Sequence, residues 1–149
     1  MVIYMSYNRI NELRDEYELT QQELANIIGG SRVNISNWET DKEIPNIQRI
    51  NKIVDHFDMS LDYMFKLSHD KTYSEIRKGS LDRVTTGKRL KQVREENSLT
   101  LKSLADELNT TPSTLSAYET GTNMLLTAFA IQICKKYRVS MDWLYGKID

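Results

Sequence analysis

The stretch LANIIGGSRVNISNWE, residues 24–39, holds two short helical patterns on either side of Gly29-Gly30. Two glycines are too few for a linker between domains, yet they interrupt a helix. Before the break, Leu24, Ala25, Ile27 and Ile28 have the spacing of one buried helical stripe. After it, Ser31 is an N-cap candidate, and Ile35 and Trp38, with Val33 in part, form the apolar side of a second helix. Arg32, Asn34 and Asn37 take its other side. The break and these three polar residues need a common explanation.

A copy of the same pattern lies further along. Shifting the chain by 80 residues aligns Asn8–Lys66 with Lys88–Gly146 without a gap. LTQQELANII falls on LTLKSLADEL, SNWET on SAYET, and MSLDYMF on VSMDWLY. Arg9/Arg89, Arg14/Arg94, Leu24/Leu104, Ala25/Ala105, Glu39/Glu119 and Asp62/Asp142 are identical pairs. The 149 residues thus read as a first domain over 1–68, a partly helical linker over 69–86 and a second domain over 87–149.

Each copy reads as five short helices. In the first, Ile10, Leu13, Arg14 and Tyr17 have helical spacing, and Thr20 with Glu23 makes a capping box. The interrupted pair follows. Pro45-Asn46 starts a fourth helix with Ile47, Ile50, Ile53, Val54 and Phe57, and Ser60 caps a fifth. No strand alternation competes, so the fold class is all-α. Two helices joined by so short a turn, the second lying across the first, form a helix-turn-helix. The crossing requires a small residue, Ala25 or Ala105, and a turn residue tolerating positive φ, Gly29 or Asn109.

RINELRDEYELTQQELANIIGGSRVNISNWET, followed by a proline and INKIVDHFDMSLDYMF, resembles the lambda-repressor-like, Cro-type helix-turn-helix family of phage and bacterial regulators. RLKQVREENSLTLKSLADELNTTPSTLSAYETG with VSMDWLYG resembles it nearly as well, and the likeness covers about four-fifths of the chain. It implies two tandem five-helix domains whose third helices enter the DNA major groove. By position, Arg32, Val33, Asn34 and Asn37 are the implied base readers. An arginine can grip guanine O6 and N7, an asparagine adenine N6 and N7, and a valine a thymine methyl. Gln21, Thr40 and Lys42 are the implied phosphate contacts. The resemblance also implies that Arg14 with Glu39, and Arg94 with Glu119, are structural ion pairs rather than readers.

The second copy departs from the first where reading is expected. Leu101, Pro112, Ser113 and Ala117 replace Gln21, Arg32, Val33 and Asn37. Its DNA candidates reduce to Lys102, Ser113 and Thr114. Its first helix is nevertheless basic, with Lys88, Arg89, Lys91 and Arg94. Residues 1–68 carry 7 basic and 11 acidic side chains, a balance of −4, whereas 87–149 carry 9 and 7, or +2. The first copy is therefore expected to read sequence and the second to assist through the backbone or through assembly. Linker residues Tyr73, Ile76, Leu81 and Val84 suggest one or two helical turns docked on a repeat. About 19 extended residues reach roughly 60 Å, more than the ~34 Å between half-sites, so both copies fit one duplex.

Other classes find little support. No catalytic set or glycine-rich phosphate loop is present, and His56 and His69 lack partners at metal-ligand spacing. Neither a metal nor a cofactor is expected. Cys134 is a single cysteine, read as a buried small hydrophobe, and no apolar run suits a membrane. The start does not read as a signal peptide, so a cytoplasmic location is expected. Tyr63-Met64-Phe65 and Trp143-Leu144-Tyr145 offer more apolar surface than a 60-residue unit is expected to bury, so some of it is expected to pack against the other repeat or another chain, giving a homodimer. The expected function is a sequence-specific DNA-binding repressor, with double-stranded DNA as partner and an antirepressor protein as a further partner. The rivals are an antitoxin- or inhibitor-like protein-interaction module and a DNA-bridging architectural protein.

Overall fold

The computed structural model describes residues 6–72 and 80–149. The chain divides into two compact units, Met1–Ser74 and Glu75–Asp149. Among the described residues there are helices and turns but no strand. The first unit holds α1 (Ile10–Glu16), α2 (Gln21–Ile28), α3 (Arg32–Glu39), α4 (Ile47–His56) and α5 (Leu61–Met64). The second holds α6 (Arg83–Glu96), α7 (Leu101–Glu107), α8 (Pro112–Glu119), α9 (Thr127–Tyr137) and α10 (Met141–Leu144). The expected tandem all-α arrangement is the one found.

Local chemistry sets the helix boundaries. Thr20 and Glu23 form a reciprocal capping box on α2, and Thr100 and Ser103 repeat it on α7. Ser31, Thr111, Ser60 and Ser140 cap α3, α8, α5 and α10 through their hydroxyls. Chain reversals between helices use left-handed residues, and five such positions recur at the 80-residue spacing. They are Glu18 and Ser98, Gly29 and Asn109, Asp41 and Gly121, Asp58 and Arg138, and Lys66 and Gly146. Gly29 at φ 68° therefore occupies the place where Asn109 stands at 57°.

Each unit closes on one small core. Ile10, Leu24, Ala25, Ile35, Ile50, Ile53, Leu61, Met64 and Phe65 are fully buried in the first. Leu90, Ala105, Leu115, Ala130, Met141, Leu144 and Tyr145 are fully buried in the second. Trp38 and Tyr118 are core anchors, and Cys134 is buried. Val33, read as a partial anchor, is instead 56 % exposed, because its position on α3 points away from Ile35 and Trp38.

The aromatic surplus expected on the fifth helices is largely absent. Met64, Phe65, Leu144 and Tyr145 are buried, and Tyr63 and Trp143 are half-buried. An arginine at the start of α1 in the first unit and one within α6 in the second account for the last two. Arg9 Nε donates to the Tyr63 carbonyl at 2.8 Å and lies 4.4 Å from the Tyr63 ring centroid. Arg89 donates to the Trp143 carbonyl and lies 5.0 Å from the Trp143 ring centroid. The apolar excess that motivated a homodimer is thus accommodated within the chain.

The linker expectation meets a helix. Arg83–Thr86 is the first turn of α6, which begins well before the position matching the start of α1. Tyr73, Ile76 and Gly79 lie outside the described residues. Gly87 lets this longer helix pass close to α8: a Cβ there would stand 2.4 Å from the Tyr118 carbonyl oxygen and 2.5 Å from that of Glu119. In the first unit the matching residue is Tyr7, and Asn8 answers the Trp38 carbonyl with a side-chain hydrogen bond of 3.0 Å.

Gly87→Ala is expected to destabilise the second unit by about 1–3 kcal/mol through this backbone overlap. Urea unfolding checks it, with the first unit's transition unchanged. A second expectation concerns alkali. Burial pushes the Tyr145 phenol well above its ordinary value, while its hydroxyl donates to the Leu125 carbonyl at 2.8 Å. An acid whose folded pKa is raised stabilises below its unfolded value, about 10 for tyrosine, and loses that contribution as pH rises further. The second unit should therefore weaken above pH ~10, and Tyr145→Phe, the residue found at position 65, should reduce that alkaline loss in circular dichroism titrations.

Candidate nucleic-acid interface

The exposed face of α3 follows from helical phase. Ile35 and Trp38 are drawn into the core, which leaves Val33, Ser36, Asn37 and Thr40, at i, i+3, i+4 and i+7, on the opposite side. Arg32 sits at the first helical position and is exposed. Among the described residues, neither the Arg32 guanidinium nor the Asn37 side chain has a hydrogen bond or ion pair within the protein. Ser36 was not singled out from the sequence, although its place one turn before Thr40 was a usable signal.

Behind this face lies an ion pair. Arg14 donates through Nε to Glu39 Oε1 and through Nη2 to Oε2 at 3.1 Å, with Nη1 on the Leu19 carbonyl at 2.9 Å. Arg94 repeats the arrangement on Glu119 at 2.7 and 2.9 Å, with Nη1 on the Leu99 carbonyl at 3.0 Å. Hydrogen bonding to Glu39 and Glu119 raises the pKa of each arginine, against a desolvation that acts the other way. These pairs tie α1 to the C-terminal end of α3, and α6 to that of α8.

Glu39 has a further role that sequence reading missed. Its Oε2 accepts a hydrogen bond from Gln21 Nε2 at 2.9 Å. The contact orients the Gln21 amide at the start of α2 and leaves its Oε1 and remaining N–H for an outside partner. Lys42 is exposed with no carboxylate partner among the described residues, whereas the Thr40 hydroxyl donates to the Ser36 carbonyl at 2.8 Å. Asn34 stands apart from the rest. It is half-buried, and its Oδ1 accepts from the Ser31 N–H at 3.1 Å, the Ser31 hydroxyl at 3.1 Å and Arg49 Nη1 at 2.9 Å.

The matching face in the second unit is Ser113, Ser116, Ala117 and Thr120, with neither a charge nor an amide. Thr114 shares a hydrogen bond with Thr111 at 2.9 Å, and Lys102 lies 3.3 Å from Asp106. The basic first helix is less available than its composition suggests. Arg89 is held by the carbonyls of Trp143 and Ile148, Arg94 by Glu119, and Lys91 is 4.0 Å from Glu95. Lys88 is exposed.

Among the described residues there is no helix long and apolar enough to cross a membrane and no cluster of metal-binding side chains. A family model described as a helix-turn-helix domain matches residues 7–69 and again 87–149. Comparison with curated proteins and with solved structures gives no match.

Glu39→Ala should destabilise the first unit by about 3 kcal/mol. This is the low end for breaking a buried pair, because Arg14 keeps 17 % of its side-chain surface exposed. Chemical denaturation measures the loss, and a double-mutant cycle with Arg14→Ala should show strong coupling between the two.

Proposed function

The chain belongs to this helix-turn-helix domain family over both of its repeats, a DNA-binding family of regulators, and from that premise we propose that it is a sequence-specific repressor that reads DNA with α3. The observation that carries the reading is the state of the first unit's arginines. Arg9 and Arg14 are bound to partners within the fold, while Arg32 projects from the start of α3 without one among the described residues. An arginine held outward beside an exposed valine and a half-exposed asparagine suits the edges of successive base pairs.

The roles divide by chemistry. Arg32 pairs with a guanine, Asn37 with an adenine, and Val33 packs on a thymine methyl. Gln21, oriented by Glu39, and Lys42 meet phosphates, which position the helix without specifying sequence. The second unit supplies weak backbone contact through Ser113, Thr114 and Lys102. Joined to the first by the linker, it raises the affinity of the whole chain.

A salt titration against random and selected duplexes separates this reading from its rivals. A regulator shows a large ratio of specific to random affinity, an architectural protein a small one, and a protein-interaction module scarcely binds. Within that assay, Arg32→Ala and Asn37→Ala should each remove about 1–3 kcal/mol of discrimination at one base position while the protein stays folded. Gln21→Ala should weaken all sequences by a similar factor. Unchanged operator affinity in a folded Arg32→Ala protein removes that residue from the reading set.

A further inference from the structure

Arg49, on α4, is not among the residues for which the sequence reading expected a DNA contact. It is exposed, and among the described residues it has no carboxylate partner. Among the described residues its one hydrogen bond runs from Nη1 to Asn34 Oδ1 at 2.9 Å. That oxygen also accepts the Ser31 hydroxyl and N–H, each at 3.1 Å, so the guanidinium is moored over the first turn of α3. Arg32 and Val33 project from the same turn.

The mooring has two chemical consequences. A guanidinium carries five N–H donors, and one is used, leaving four and the full charge for an anion. An asparagine that reads adenine must accept with Oδ1 and donate with Nδ2 together. With its Oδ1 already serving three donors, Asn34 is poorly placed for that pairing. The second unit has neither part: Thr114 and Phe129 stand in the matching places, and the Phe129 ring packs edge-on against Tyr118.

Resting on the regulator reading above, we infer that Arg49 contacts a DNA phosphate beside the reading helix, and that Asn34 holds Arg49 there instead of reading a base. Asn34 is in this sense a positioning residue. The contact lies at the α4 flank of α3, whereas Gln21 lies at the start of α2. Gln21 is tied through Glu39 to the C-terminal end of α3 and Arg49 through Asn34 to its first turn, so the two grip the DNA backbone toward opposite ends of the reading helix.

The test is the salt dependence of binding by the full chain to a random 30-base-pair duplex and to a duplex selected by the wild-type protein. Arg49→Gln removes the charge and keeps an amide donor. It should lower the slope of log affinity against log salt by about one and weaken both duplexes by the same factor. Arg49→Lys should keep the wild-type slope, whereas a role confined to tying α4 to α3 predicts an unchanged slope in both variants. Asn34→Ala should weaken both duplexes alike and leave the preferred bases unchanged. An unaltered slope in Arg49→Gln, with wild-type binding intact, overturns the phosphate contact alone. A changed base preference at one position in Asn34→Ala returns Asn34 to reading and overturns its holding role. A wild-type chain that binds neither duplex overturns the regulator reading and this assignment with it.

Discussion

The crossing of α2 and α3 is the constraint from which the remaining geometry follows. Within three residues of Ile28 the backbone must reverse and lay a second helix across the first. That demands a left-handed residue at the turn and a methyl-sized side chain at the crossing. Gly29 with Ala25, and Asn109 with Ala105, satisfy it in the two units. Once the crossing is set, Ile35 and Trp38 can reach the core only if Val33, Ser36 and Asn37 turn outward. The face available to a ligand is therefore the complement of the packing face. The Arg14–Glu39 pair then holds the far end of α3, and through Gln21 it passes that order to the start of α2.

Nearly the same scaffold thus carries two different surfaces. Both units keep the ion pair, the hydroxyl caps of the second, third and fifth helices, the left-handed turns and the arginine stacked on the fifth helix. They differ on the surface around the third helix: Arg32 against Pro112, Asn37 against Ala117, and the exposed Arg49 against Phe129, which packs on Tyr118. Whole-unit charge is a poor guide to this difference. The −4 of residues 1–68 includes carboxylates such as Glu39 that bind internal partners, and the +2 of residues 87–149 includes Arg89 and Arg94, which are equally engaged. Which charges remain outward-facing and unpaired matters more for binding than their sum.

The sequence alone determined what depends on neighbours a few residues apart or on the repeat itself. The 80-residue spacing, the caps at Thr20 and Ser31, the break at Gly29 and the apolar phase of each helix are of this kind, because a helical turn joins residues three and four apart whatever surrounds them. The Arg14–Glu39 pair was legible only through the family resemblance. Tertiary structure decided the rest. It drew Asn34 toward Arg49, 15 residues away, and Gln21 toward Glu39, 18 away. It also left Val33 exposed on a helix where apolar spacing made it a partial anchor, and brought α6 against the α8 carbonyls at Gly87. Such contacts join separate helices. Their partners are chosen by how closely two backbones approach, and a linear pattern of residue types carries no record of that distance.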